Sequence, residues 1–117
     1  MANNRIVRVT QEIRKELAHI ITNEVKDDRL HPMTSIIDVH VTGDLKYAQV
    51  LVSVYDNDDK KRIASIDALN HAASFIRTRL AKTMSFRTVP KLTFELDTNI
   101  EYGFEIEKKL KEVLGDK

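Results

Sequence analysis

The stretch from Lys60 to Lys91 carries eight basic side chains, Lys60, Lys61, Arg62, Arg77, Arg79, Lys82, Arg87 and Lys91, against the single acid Asp67. Cations at this density hold anionic oxygens, phosphate above all, through charge-assisted hydrogen bonds. The rest of the chain balances them. Residues 1–26 have five basic and three acidic side chains, residues 27–59 two and seven, residues 92–117 four and seven, and the whole chain has a formal charge of +1. An anionic partner is therefore expected to meet the protein within residues 60–91. Arg77, Arg79, Lys82 and Arg87 are the strongest candidates, because no acid stands at helical spacing to neutralise them. Arg5, Arg8, Arg14 and Lys15 form a weaker group, because Glu12 and Glu16 interleave with them. A solvated charged face is the ordinary reading of such residues, and phosphate contact is expected for at least two of the first group.

Other chemistry is hard to find. The four histidines, His19, His31, His40 and His71, lack metal-ligand spacing, and the chain has no cysteine, so no metal site is expected. "DNDD" at 56–59 resembles part of a calcium loop, but the glycine and distal glutamate are missing, and helix capping explains the acids better. The three glycines, Gly43, Gly103 and Gly115, form no phosphate-cradling loop. No catalytic constellation and no cofactor are expected, and the chain does not read as an enzyme.

The elements that must position the cations are legible from periodicity. Ile6, Val9, Ile13, Leu17, Ile20, Ile21 and Val25 recur at three- and four-residue steps, an amphipathic helix over about 5–26. Pro32 sits in a loop. Ile37, Val39 and Val41 alternate with polar residues, and Ala48, Val50, Val52 and Val54 do the same after the turn Thr42-Gly43-Asp44, so an antiparallel hairpin is expected. Asp58 or Asp59 caps the next helix. Its apolar stripe, Ile63, Ile66, Leu69, Ala73, Ile76, Leu80 and Met84, is too long for one rod over so small a core. A break is expected at the small residues Ala72-Ala73-Ser74. Leu92, Phe94 and Leu96 make a third one-sided strand. Thr98 and Glu101 form a capping box for a last helix over about 98–117, whose end is expected to be mobile.

The length of 117 residues suits one domain, with 42% hydrophobic and 32% charged residues, an ordinary globular balance. The start of the chain lacks the apolar core of a signal peptide, and no run reaches membrane-spanning length, so a cytoplasmic protein with no membrane partner is expected. The fold class is α+β, in the order α-β-β-α-kink-α-β with a C-terminal helix. The simplest packing is a three-stranded sheet with the helices on one face.

A β-α-α-β core with a small-residue break between its helices resembles the KH fold, whose break usually holds a G-x-x-G loop that RNA backbone approaches. The closer resemblance is to the bacterial ribosome-binding factor A family. It rests on "RVTQEIRKELAHII" and "HAASFIRTRLAKTMSFRTVPKLTFELDTNIEYG" and covers essentially the whole chain. In that family the break carries an Ala-x-Gly pattern, matched here by Ala72-Ala73-Ser74 with serine where glycine is usual. Arg87, Pro90, Leu92 and Phe94 match its Arg-x-x-Pro-x-Leu-x-Phe segment, and Asp97-Thr98-Asn99 lies on its Asp-x-Ser pattern. The resemblance implies a single KH-like (type II) RNA-binding domain over 1–117. It implies binding to free 30S ribosomal subunits, help with late 30S maturation and 16S rRNA processing, and contact near the 5′-terminal helix of 16S rRNA, without nuclease activity. A monomer is expected.

On that reading the RNA-binding residues are Arg5, Arg8, Arg14, Lys15, Ala72, Ala73, Ser74, Arg77, Arg79, Lys82 and Arg87. The break admits two readings at once, close helix packing and approach of RNA backbone. Ser74 is expected to keep a right-handed, near-helical backbone, with its hydroxyl bonding a carbonyl one turn back. On an unbroken helix Phe75 would lie on the side of Arg79 and Lys82, where it could stack on a base. A break at Ala73 or Ser74 would rotate it inward, and burial is the first expectation. The alternative function is a protein-interaction module acting through the helical layer or the C-terminal helix.

Overall fold

A computed structural model of the chain describes residues 4–84 and 89–97. The expected trailing helix and its capping box lie outside the described residues, as does Arg87. The elements are α1 (Asn4–Asn23), β1 (Thr34–Val41), β2 (Tyr47–Val54), α2 (Asp59–His71), α3 (Ala73–Thr83) and β3 (Lys91–Leu96).

The sheet has the order β1-β2-β3. β1 and β2 pair antiparallel, as a short turn requires. β2 and β3 pair parallel, so the chain must cross over between them, and α2 and α3 are that crossover. The Val9, Ile13, Leu17, Ile20 and Ile21 stripe of α1 is buried on the same side of the sheet as Leu69, Ile76 and Leu80. That face supplies Val39, Val41, Ala48, Val50, Val52, Leu92 and Phe94 to one core. Removing apolar area from water at about 25 cal/mol per Å² drives this layering.

Two expectations shift at particular residues, and the hairpin turn adds a left-handed position. Ile37 is the extra residue of a β-bulge, because the β1–β2 register slips between Ile36 and Asp38. It is 39% exposed, and Ile36 packs against the core instead. Ile63 is 54% exposed, because α2 begins its inward face at Arg62, Ser65, Ala68 and Leu69, while the rest of the stripe from Ile66 onward packs on the core. In the hairpin turn the left-handed residue is Leu45, with φ 62°, and not Gly43. Leu45 accepts this cost, commonly about 1–3 kcal/mol, because its side chain is buried in the core. Thr42 and Asp44 bond the surrounding backbone N–H groups of Tyr47 and Lys46.

Polar side chains, with Ser65 fully buried among them, tie the crossover down. The Ser65 hydroxyl accepts the His31 N–H (3.1 Å) and bonds Thr34 Oγ1 (2.8 Å), which pins the 27–33 loop to α2. His31 Nδ1 accepts the Met33 N–H, so its Nε2–H faces Asp56 Oδ2 at 2.9 Å. Asp58 caps α2 as expected, accepting the Lys60 N–H at 2.9 Å. At the other end of α2, Asn70 Nδ2 donates to Phe94 O (3.0 Å) and Asn70 Oδ1 accepts the Phe94 N–H (2.9 Å). Asn70 thereby completes the outer edge of β3 much as a neighbouring strand would.

Asn70→Ala should lower stability by about 1–2 kcal/mol, since two hydrogen bonds are lost at once. Urea unfolding would read this as a lower midpoint at unchanged slope, and an unchanged midpoint would show that the edge does not need the amide. A second expectation concerns Asp27. The Arg29 side chain and backbone N–H hold its carboxyl down to about 2. Because the folded pKa is depressed, this interaction stabilises fully above the ordinary value of about 4 and fades as pH falls towards about 2. NMR titration should find Asp27 protonating near pH 2, and Arg29→Ala should raise it only part of the way to the ordinary carboxylate range, because the backbone N–H at position 29 still donates to Asp27.

Candidate nucleic-acid interface

The break falls at Ala72, within the expected Ala72-Ala73-Ser74 patch. Ala72 leaves the helix with φ −87° and ψ 2°, ending α2 and opening α3. Its N–H still bonds Ala68 O (3.0 Å) and its carbonyl accepts the Ile76 N–H (2.9 Å). One residue is thus displaced while the hydrogen-bonded path nearly continues. Ala72 and Ala73 pack against the core, which is the close-packing role, and Ser74 is exposed in the first turn of α3. Ser74 keeps a right-handed backbone as expected, since the positive-φ position among the described residues is Leu45. The expected bond from its hydroxyl is not found among the described residues. Its carbonyl instead accepts Thr78 Oγ1 at 3.0 Å.

Phe75 is not buried; it is 46% exposed. The reason is phase. Leu69, Ile76 and Leu80 are fully buried, and their spacings of seven and four residues already share one face of a continuous helix. A break that displaces Ala72 alone keeps them in phase, so Phe75 stays on the outward side. The outward face of α3 holds Ser74, Phe75, Thr78 and Lys82, all exposed.

The basic segment is less free than its charge suggests. Arg62 is 4% exposed and bonds the Asp56 carbonyl and the Asp59 carboxylate. Arg77 Nε and Nη2 both donate to the Val89 carbonyl, at 3.1 and 3.0 Å, and so tie α3 to the start of β3. Arg79 Nε lies 2.6 Å from Glu24 Oε1, just past the end of α1. Acids are indeed missing along α3 itself, but Arg79 finds one 55 positions back in sequence. Lys82 is exposed in the last turn of α3.

The α1 candidates do not form one cluster. Arg5, Arg8 and Lys15 share a solvent-facing side by helical spacing, whereas Arg14 lies about half a turn round. All four are exposed. Arg14 instead lines an open cavity of about 240 Å³ between α1 and β1, with Ala18, Ile21, Thr22, Ser35 and Ile36 among its other walls. Of the proposed RNA-binding residues, the structure therefore groups Ala72, Ala73, Ser74 and Lys82 along one break and helix, flanked by Arg77 and Arg79. Among the described residues no three His, Asp or Glu side chains converge on a metal-sized site, and no helix is long and apolar enough to cross a membrane.

This topology, a hairpin followed by two helices broken at a small residue and a parallel return strand, is that of a KH-like α+β domain of the second type. The comparisons with known proteins narrow the class further. The family model described as ribosome-binding factor A matches residues 5–110. The ribosome-binding factor A of Clostridium beijerinckii is 39% identical over 113 residues, covering 97% of this chain and 96% of that protein. A solution NMR structure of a Thermotoga maritima ribosome binding factor A is 27% identical, with a TM-score of 0.69 over 81% of this chain and 89% of that one. A homology model of Thermus thermophilus ribosome binding factor A, fitted into a cryo-EM map of a 30S complex of that factor, shares the fold at 20% identity. Its TM-score is 0.61, over 75% of this chain and 90% of that one. The chain belongs to the ribosome-binding factor A family.

The packing of the break predicts opposite outcomes at neighbouring positions. Ser74→Gly should leave the fold unchanged and cost at most about 1 kcal/mol, the helix-interior cost of glycine. Ala73→Leu should cost more, about 1–3 kcal/mol, by overpacking against the core. Thermal or urea unfolding distinguishes them. A stabilised Ser74→Gly would mean a strained serine backbone, and a harmless Ala73→Leu would mean that Ala73 faces solvent.

Proposed function

We propose that this protein binds free 30S ribosomal subunits in the cytoplasm, through 16S rRNA, and assists late 30S maturation and rRNA processing. It acts as a monomer and by binding rather than by catalysis, and it meets the RNA near the 5′-terminal helix. Membership of a family described as ribosome-binding factors supports the first step, as does the shared fold with a factor fitted into a 30S complex. The observation that carries the reading is the outward face of α3. It presents Lys82 with no acid on the same helix, and that helix opens at a break whose small side chains let a backbone come close.

Arg77 and Arg79 enter this reading differently from Lys82. Each already has an intramolecular partner. Their positive charge still adds to the local potential, but reversing them would also disturb the Val89 and Glu24 contacts. Lys82 is the cleaner probe.

Sedimentation of the tagged protein with ribosomal particles from a lysate tests the function directly. It should run with free 30S particles and not with 70S ribosomes. Lys82→Glu should weaken that association and lower its salt slope by about one. Reversal of Lys108, Lys109 and Lys111 to Glu should matter much less. Equal binding by both variants would remove the basic-segment argument. An association insensitive to salt would favour a protein-interaction module instead, because apolar interfaces lack the counterion term.

A further inference from the structure

We propose that Phe75 is a stacking platform for one unpaired base, so that the α3 face takes single-stranded RNA and discriminates against a duplex. This deepens the RNA-binding reading above and rests on it. Phe75 is 46% exposed, on a helix whose other large apolar residues, Ile76 and Leu80, are fully buried. An exposed aromatic ring on the outer face of an otherwise correctly partitioned helix has no part in the core. Its surroundings select the partner. Lys82 lies seven residues on and so on the same side of the helix, about 10 Å along the axis at 1.5 Å per residue. Around them the face carries the small Ser74, Thr78 and Ala81, and Arg79, one turn on from Phe75, is drawn towards Glu24. α3 contains no acid, which disfavours a basic or acid-neutral protein surface and suits a polyanion.

A ring and a cation separated in this way address two different parts of a nucleotide chain. The ring takes the face of a base, and the ammonium takes a phosphate further along the strand. Stacking is indifferent to base identity because every base has a π face. It does require the base to leave a duplex, where both of its faces are already covered. The face therefore selects for strandedness rather than for sequence.

The chain contains no tryptophan, so Phe75→Trp places a lone tryptophan, excited selectively at wavelengths the tyrosines do not absorb, at the proposed contact. The full-length protein would be titrated with a short fluorescein-free RNA 10-mer, single-stranded or annealed to its complement, and affinities taken by calorimetry. Phe75→Trp should bind the single strand about as well as the parent, with its emission quenched at saturation. Phe75→Leu, which keeps an apolar side chain but removes the π face, should bind the single strand about 5- to 150-fold more weakly. Its urea midpoint should stay at the parent value. The duplex should bind parent and Phe75→Leu alike. The proposal is overturned if Phe75→Leu matches the parent on the single strand, or if the tryptophan is not quenched. Loss of duplex binding equal to the loss on the single strand overturns it too, since Phe75 would then contribute to charge-driven docking in general. If the parent binds the single strand while Phe75→Leu equals it, stacking alone falls. If the parent binds neither RNA, the RNA-binding reading falls with it.

Discussion

A three-stranded sheet with one apolar face must be roofed across its full width, and this requirement organises the molecule. α1 covers the β1 side, α2 covers β3, and α3 runs between α1 and β3. One straight helix from Asp59 to Thr83 could not follow that path, and a helix–loop–helix would leave backbone groups to be satisfied. Displacing Ala72 alone solves both problems. Leu69 on one side and Ile76 on the other stay fully buried, and the Ala68–Ala72–Ile76 hydrogen bonds carry across the joint. Alanine suits the position because a larger side chain would meet the core, where packing is as dense as in an organic crystal. The same economy keeps α3 in phase with α2, and that is why Phe75 remains outside.

The elements whose signals are local were legible in the sequence. Period-two alternation located the strands, period-3.6 stripes located α1 and the broken helix, and Asp58 was readable as a cap because its partner is two residues away. What escaped depended on partners far along the chain. Ser65 looks like an ordinary helix residue until His31 and Thr34 are brought against it. Asn70 looks solvent-facing until β3 returns parallel to β2 and presents the Phe94 backbone. The bulge at Ile37 escaped for a related reason, because "SIID" offers two adjacent isoleucines and periodicity alone does not say which one enters the core.

The candidate site shows the same division. Charge distribution singled out residues 60–91, and the break lies within the small-residue patch where it was expected. Counting did not say which cations are engaged. The Arg62 partners lie within six residues, but its burial follows from the inward turn of α2, and the partner of Arg79 is on another helix. A buried or paired arginine still contributes to the field outside, but it is not available as a flexible phosphate hook. For a small domain near neutrality, then, charge that marks a face in sequence divides in three dimensions between holding the fold and meeting the partner.

The edges of the sheet bear on which surface is left for that partner. A short sheet with two open edges invites another strand to pair with it. Here the Asp38 carboxylate accepts the Val39 N–H at 2.9 Å, beside the bulge on β1. Asn70 occupies both backbone groups of Phe94 on β3. Each edge is thus interrupted near its middle by a side chain that an incoming strand would have to displace. The apolar face of the sheet is already roofed by helices. Recognition through strand addition is therefore disfavoured on both sides, which leaves the open face of the sheet and the exposed faces of the helices. Among the described residues, α3 is the surface that combines an exposed aromatic ring, an exposed lysine and the absence of acids. The break that lets α2 and α3 roof the sheet is thus also what sets an unburied ring beside a basic helix face.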